Sequence, residues 1–171
     1  MTRRLWAAVA LLSVLMLGGC SVAVDSRIDE YQKTAEDLAT HVVQLIPSDL
    51  QPVQDAATDS HGVAPQNGVT AQKRPQDTAR WEVRTYLALA NRQDAASEAI
   101  TAVTGSLAQE GWSSSRVRET DGGQTVTDGF RRDDWYLEIS WSRSRPGAVE
   151  RFDIFVISPN TVRGDHDGLT S

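Results

Sequence analysis

The chain contains one cysteine, Cys20, and no second thiol with which it could form an internal disulfide. A cysteine can otherwise act as a nucleophile, bind a metal or carry a lipid, and its surroundings decide which use is chemically reasonable. Cys20 ends an apolar stretch that begins at Leu5, and two small residues, Gly18 and Gly19, precede it. The first question about function is therefore what this position does to the thiol.

The segment before Cys20 has the composition of an export signal. Arg3 and Arg4 form a short basic region, and residues 5–17 are almost entirely apolar. A stretch of that length matches the core of a secretory signal, whereas a membrane-spanning helix needs about 20 apolar residues. We therefore predict that residues 1–19 are a signal peptide that is removed. The two arginines also form an incomplete twin-arginine motif, so the general and the twin-arginine export routes both remain open.

The sequence Leu17-Gly18-Gly19-Cys20 resembles the lipobox of bacterial lipoproteins. The resemblance implies that a diacylglycerol is attached to the sulfur of Cys20, which becomes the first residue of the mature chain. Two acyl chains hold a protein stably on a bilayer, whereas one chain holds it only marginally. The resemblance thus implies a protein anchored to the outer side of the cell membrane, with residues 20–24 as a tether and no cofactor other than the covalent lipid. The composition is also similar to that of small lipoproteins of high-GC Gram-positive bacteria.

The mature chain is acidic. Removal of residues 1–19 takes away Arg3 and Arg4, which leaves 15 basic against 23 acidic side chains and a net charge of −8. An acidic chain without a basic tract lacks the electrostatic surface that binds nucleic acid or anionic lipid. We therefore expect no nucleic-acid partner, a bilayer contact made through the lipid on Cys20, and an unidentified envelope protein, peptide or wall component as the ligand.

Two helices are predicted from apolar residues that are spaced three and four positions apart. The first covers residues 25–46 and is stopped by Pro47. The second begins at a capping Asp94 and ends at Gly111. Both have a single apolar stripe, which is typical of a helix that packs on a core with one face.

Five strands are predicted, from alternating apolar and polar residues and, for the second and third strands, from the glycine turn at residues 121–123 that joins them. They cover residues 80–89, 112–119, 124–131, 135–142 and 151–158. Residues 48–79 are rich in proline, glycine and glutamine and show neither period, so we predict a mobile loop there. Residues 159–171 are predicted to be a loose polar tail.

The predicted order is α, loop, β, α, β, β, β, β within a single domain at residues 25–158. One crossover helix followed by hairpins is typical of the α+β class. We therefore expect a two-layer domain in which two helices cover one face of a mostly antiparallel, five-stranded sheet.

Residues that could perform catalysis are scattered. His41, His61 and His166 fall in a helix, the loop and the tail, and the acidic residues flanking His166 lie in the tail, where a preorganised metal site is unusual. The sequence lacks the common nucleophilic, metal and phosphate-binding motifs. The carboxylates of Glu138 and Asp153 could act in acid/base chemistry only if they converged in a desolvated cleft. We predict no catalytic residue and no metal site, and an envelope enzyme that acts on wall polymer or lipid remains the alternative.

One face of the predicted sheet has the composition of a binding surface. Strand alternation places its aromatic and basic residues opposite the apolar side that faces the helices. The candidate residues are Arg84, Tyr86, Arg116, Tyr136 and Phe155. Tyrosine, phenylalanine and arginine are enriched in protein interfaces, although the same face could be an ordinary solvated surface. The sequence therefore favours a non-catalytic, membrane-anchored binding domain.

Overall fold

The computed structural model describes residues 25–52, 54–64, 74–120, 122–143 and 148–170. The predicted signal peptide and Cys20 lie outside the described residues. Within them, no helix is both long and apolar enough to cross a membrane.

Two helices and seven strands make up the described part of the chain. The helices are α1 (Ile28–Gln44) and α2 (Ala95–Gln109), and a 3-10 turn lies at Ser48–Leu50. The strands are β1 (Ala57–Val63), β2 (Thr78–Ala88), β3 (Ser113–Thr120), β4 (Thr125–Arg132), β5 (Trp135–Ser142), β6 (Arg151–Ile157) and β7 (Thr161–Val162).

The strands form one antiparallel sheet in the order β1-β2-β6-β5-β4-β3, and β7 pairs with the start of β2. The connection through α2 carries the chain from β2 to the far edge at β3. Three hairpin connections then bring it back until β6 pairs with β2. This confirms the predicted α+β class and the mostly antiparallel sheet.

Both helices cover the same face of the sheet. The core joins Ala35 and Val42 of α1 and Val103 of α2 to the alternating residues of the strands, such as Leu137 and Ile154. These five side chains are at most 1 % exposed. At the start of α1, Tyr31 meets the ring of Trp135 edge to face, with 5.7 Å between the centroids. The two-layer arrangement follows from the single apolar stripe of each helix.

The end of α2 follows the sequence prediction. Gly111 has a φ of 87°, and the amides of Gly111 and Trp112 donate hydrogen bonds to the carbonyls of Ala108 and Leu107. This is the paired hydrogen-bond arrangement that glycine permits after a helix.

The start of α2 differs from the sequence prediction. Asp94 has a φ of 63° and makes no side-chain cap. The carboxylate of Glu150 instead accepts the amide of Ala96 at 2.7 Å. The predicted capping role of Asp94 is therefore wrong, because a residue from the loop before β6 takes it.

The predicted loop at 48–79 is wrong over β1, which pairs with β2 from Ala57 to Val63. This edge strand has few large apolar residues. Main-chain hydrogen bonds and one hydroxyl group hold it in place instead. The Ser60 hydroxyl accepts the Trp81 indole N–H at 2.8 Å and donates to Glu36 of α1 at 2.6 Å. Polar contacts of this kind leave no apolar period in the sequence. The sheet therefore has two more strands than the five predicted.

The predicted loose tail at 159–171 is also wrong over most of its described length. Strand β7 pairs with β2, and Leu169 is 4 % exposed in a small second core with Ile28. The amide of Thr170 donates to the carbonyl of Gly62 at 2.8 Å. A β-carbon on Gly62 would lie 2.1 Å from Leu169, so only glycine at this position leaves space for the Leu169 side chain.

Candidate functional site

The candidate site lies on the open face, by which we mean the face of the sheet turned away from α1 and α2. Residues paired directly across antiparallel strands project to the same side of a sheet. Arg84 is paired with Phe155, and Phe155 is paired with Glu138. Tyr86, two residues after Arg84 on β2, pairs with Asp153. The residues that alternate with these on β2 and β6 are buried in the core on the helix side. The paired residues named above, and their neighbours on the same side, therefore form the open face.

Four of the five predicted residues share this face, and Arg116 does not. Arg116 pairs with Asp128, which in turn pairs with the buried Ile139 on the helix side. The register shifts between Arg116 and Arg118, which places Arg118 on the open face instead, opposite Thr127. A bulge of one residue reverses the side to which the following residues point. Strict alternation along β3 therefore gave the wrong side for Arg116.

The guanidinium of Arg84 lies over the ring of Phe155, with 3.9 Å between the guanidinium carbon and the ring centroid. Arg84 is exposed and Phe155 is half-buried. A cation over an aromatic ring is attracted by the electron density of the ring face, by roughly 0.5–1 kcal/mol at exposed sites. The pair lies across β2 and β6, two neighbouring strands in the interior of the sheet.

Tyr136 forms a second stacked pair on the same face. The guanidinium of Arg131 lies 4.3 Å from its ring centroid, and its hydroxyl donates to the Glu138 carboxylate at 2.6 Å. Burial, followed by the hydrogen bond to Glu138, raises the pKa of Tyr136 to about 12. The phenol is therefore a neutral hydrogen-bond donor at physiological pH. This ring is half-buried, so only part of it is available to a ligand.

The hydroxyl of Tyr136 sits beside the side chain of Val117, which lies at the bulge. A β-carbon built on Gly129 would come within 2.8 Å of Val117 and 2.9 Å of the Tyr136 oxygen. Gly129 thus provides the space in which these two side chains meet. Val117 itself is 48 % exposed.

Tyr86 is the most accessible aromatic side chain of the predicted set, with 48 % of its surface exposed. It stands beside an open cleft of about 310 Å³ that Asp153, Arg151 and Asp55 also line. Burial raises the pKa of Asp153, and the charge of Arg151 lowers it by less. Glu138 is not among the residues that line this cleft.

The three histidines lie apart, and each has one acidic neighbour. His41 contacts Glu110 at 2.8 Å, and His61 lies 3.4 Å from Asp59. His166 lies 3.7 Å from Asp29. Within the described ranges, no three histidine, cysteine or acidic residues are grouped so that they could hold a metal ion.

Sequence reasoning missed two members of the open face. Arg131 has the same parity along β4 as Thr127, so strict alternation could have included it. Val117 could not have been found, because nothing in the sequence marks the bulge.

Comparisons of this chain with protein-family models, with curated proteins and with solved structures find no match.

Proposed function

We propose that the chain is a lipid-anchored extracytoplasmic protein of the cell envelope that binds another envelope protein through its open face. The lipid anchor is proposed from the resemblance of Leu17-Gly18-Gly19-Cys20 to a lipobox. The binding role is proposed from the composition of the open face.

The observation that carries the binding role is the exposure of Tyr86 at 48 % on the same face as two aromatic rings that arginines cover. Aromatic residues and arginine are enriched where proteins bind each other, and lysine and glutamate are depleted there. Tyr86, Phe155 and Tyr136 supply apolar area with little conformational freedom to lose on binding. Arg84 and Arg131 supply donors at its edges.

The tether places the folded domain close to the membrane. The Ser26 hydroxyl donates to the carbonyl of Val162 at 2.8 Å, so the fold begins only a few residues after Cys20. Residues 20–24 can span at most about 17 Å when fully extended. The partner is therefore expected to be a protein whose own extracytoplasmic part lies near the bilayer.

The anchor is tested with Cys20→Ser in the native host. We expect the variant to retain its signal peptide and to incorporate no labelled fatty acid, because the hydroxyl cannot accept the lipid in place of the thiol. Labelling equal to that of the unmodified chain would remove the anchor from the proposal.

The binding face is tested with a photo-crosslinking amino acid at position 86 in intact cells. Lys33, whose side chain is 79 % exposed on α1, is the matched control position. We expect a discrete crosslinked protein from position 86 and none from position 33, and Tyr86→Ala should remove the same protein from an affinity purification. Equal products from both positions would show that the face is an ordinary surface.

The enzyme alternative requires two carboxylates in one cleft. Asp153 lines the cleft beside Tyr86, whereas Glu138 is held by the Tyr136 hydroxyl outside it. Glu138 and Asp153 therefore do not form the predicted acid/base pair. Asp55 does line the cleft with Asp153, but its side chain is exposed, whereas acid/base catalysis needs carboxylates in a desolvated cleft. Hydrolysis of wall polymer that is lost in both Asp153→Asn and Glu138→Gln would reverse that conclusion.

A further inference from the structure

A groove of about 660 Å³ lies on the helix side of the sheet, between α2 and the edge formed by β3 and β4. Its wall on α2 is a stripe with the helical spacing, formed by Ser97, Ile100, Thr101 and Thr104. Sites for small molecules usually have volumes of about 300–1,000 Å³. The groove is therefore large enough for a ligand of two or three sugar rings or a similar size.

The groove exists because the helices are too few for the sheet. Six strands side by side span about 24 Å at about 4.8 Å between neighbours, whereas two helices each about 10 Å wide cover about 20 Å. All eight residues of β3 are exposed. Consequently, the part of α2 from Ser97 to Thr104 and the outer strands β3 and β4 face each other across open space.

The sheet side of the groove carries a hydrogen-bonded polar network. The Arg116 guanidinium donates to Asp128 at 2.7 Å and to Glu119 at 2.6 Å. The indole N–H of Trp141 lies 3.4 Å from the second oxygen of Asp128. Arg116, which was wrongly predicted on the open face, is thus the centre of this network. Side chains that are held by several partners present their remaining hydrogen-bonding atoms in defined directions.

The lining has no net charge and carries both donors and acceptors. Two arginines, Arg116 and Arg143, are matched by two carboxylates, Asp128 and Glu119. Five hydroxyl groups complete the polar lining, on Ser97, Thr101, Thr104, Ser114 and Ser115. Such a lining gives an ion of either sign little advantage, but it suits hydroxyl groups, which donate and accept together.

Small apolar areas interrupt this polar lining at Ile100, Val126 and Trp141, each of which is 3–6 % exposed. The guanidinium of Arg143 lies over the Trp141 ring, 5.4 Å from its centroid. A sugar ring has the same division, with hydroxyl groups at its edge and carbon–hydrogen bonds on its faces. We propose that the groove binds a neutral carbohydrate, with Arg116, Asp128 and Glu119 bonded to its hydroxyl groups. This site is distinct from the open face and does not depend on the proposed protein partner.

The groove lies far along the sheet from the beginning of the domain. Val162, which accepts the hydrogen bond from Ser26, pairs with Thr78 at the start of β2. Glu119 and Trp141 belong to the row of paired residues that contains Leu87. That row is about 30 Å further along β2 at about 3.3 Å per residue. If the proposed anchor at Cys20 holds the chain before Ser26, the Glu119 end of the groove is distant from the point of attachment.

The test uses the full chain, kept in solution by a detergent without a sugar headgroup and applied to an array of neutral and phosphorylated glycans. We expect binding to at least one neutral glycan, followed by titration of that glycan in solution. Thr101→Trp should weaken it at least tenfold, because the indole fills the groove. Ala108→Trp is the matched control, since Ala108 is exposed about two turns further along α2 and does not line the groove. This variant should bind as the unmodified chain does.

Glu119→Gln gives a second, milder test if Thr101→Trp does not fold. The Glu119 side chain is 51 % exposed, so the fold should tolerate the change while one acceptor of the groove is lost. We expect this variant to bind the same glycan several-fold more weakly. The proposal is overturned if no neutral glycan binds, if only phosphorylated glycans bind, or if a folded Thr101→Trp or Glu119→Gln variant binds with unchanged affinity.

Discussion

The carboxylate of Glu150 accepts the backbone N–H of Ala96 at 2.7 Å, although 54 positions separate the two residues in the chain. Glu150 is 2 % exposed, and its backbone carbonyl also accepts the amide of Leu89 at 3.0 Å. A negative charge at the start of a helix satisfies a free N–H group and interacts favourably with the helix dipole. The loop before β6 is thereby joined both to the end of β2 and to the start of α2.

The Glu150 contact predicts a large effect from a single substitution. Glu150→Ala should lower the free energy of unfolding by about 2 kcal/mol, because a buried N–H loses its acceptor. Asp94→Gly should leave this free energy unchanged or raise it, since the φ of 63° at Asp94 suits glycine and its side chain makes no cap. Urea unfolding of both variants at neutral pH measures the two effects. A larger loss in Asp94→Gly than in Glu150→Ala would return the capping role to Asp94.

Two glycines predict opposite outcomes for the same substitution. Gly129→Ala should destabilise the fold by about 1–3 kcal/mol, because the new methyl group would lie 2.8 Å from Val117 and 2.9 Å from the Tyr136 oxygen. Gly105→Ala on α2 should stabilise it by about 0.5–1 kcal/mol, since no atom lies within 4 Å of the new methyl group.

Thermal and urea unfolding of the two glycine variants compare these effects directly. Val117→Ala should recover part of the loss in Gly129→Ala, because it removes the closer of the two contacts. Gly129→Ala with unchanged stability would show that the bulge at Val117 relaxes without cost.

The sequence predicts the elements whose burial is periodic. Both helices and the strands β2, β4, β5 and β6 carry apolar residues at helical or alternating spacing, and the structure contains all of them. That periodicity arises because each element buries one side, so it is visible in the chain without knowledge of its neighbours. Strand β3 was also predicted, although all of its residues are exposed.

The missing features depend on partners that are distant in sequence. Strand β1 is held by the hydrogen bonds of Ser60 and by main-chain pairing with β2. Leu169 packs in the space that Gly62 leaves because it has no side chain. The side on which Arg116 lies is reversed by a bulge in β3. No local pattern encodes these relationships, and for this reason the open face was predicted with one wrong member and the groove was not predicted.

Asp153 predicts a stability difference that depends on pH. Burial raises the pKa of this carboxyl above its ordinary value of 3.8. The folded state therefore holds the proton more tightly than the unfolded chain, and stability falls as pH rises from the ordinary to the raised pKa. Asp153→Asn removes the charge, so at pH 7 it should be more stable than the unmodified chain. Urea unfolding from pH 3.5 to pH 7 should show this advantage shrinking as pH falls, and an advantage that is constant or grows at low pH would contradict the assignment.

The raised pKa of Tyr136 predicts a loss of stability at high pH. Its pKa is raised to about 12, first by burial and then by the hydrogen bond to Glu138, whereas its ordinary value is 10.0. The unfolded chain loses this proton first, so stability should fall as pH rises from 10 towards 12. Tyr136→Phe lacks the hydroxyl, and it should be less stable than the unmodified chain at pH 8 by about 1 kcal/mol, the typical net contribution of one hydrogen bond. Urea unfolding at pH 8, 9.5 and 11 should show that this deficit narrows at pH 11. Tyr86→Phe is the control, because it keeps the Tyr136 hydroxyl and should retain its contribution to the fall in stability, and a deficit in Tyr136→Phe that stays the same at all three pH values would show that the Tyr136 phenol ionises equally in both states.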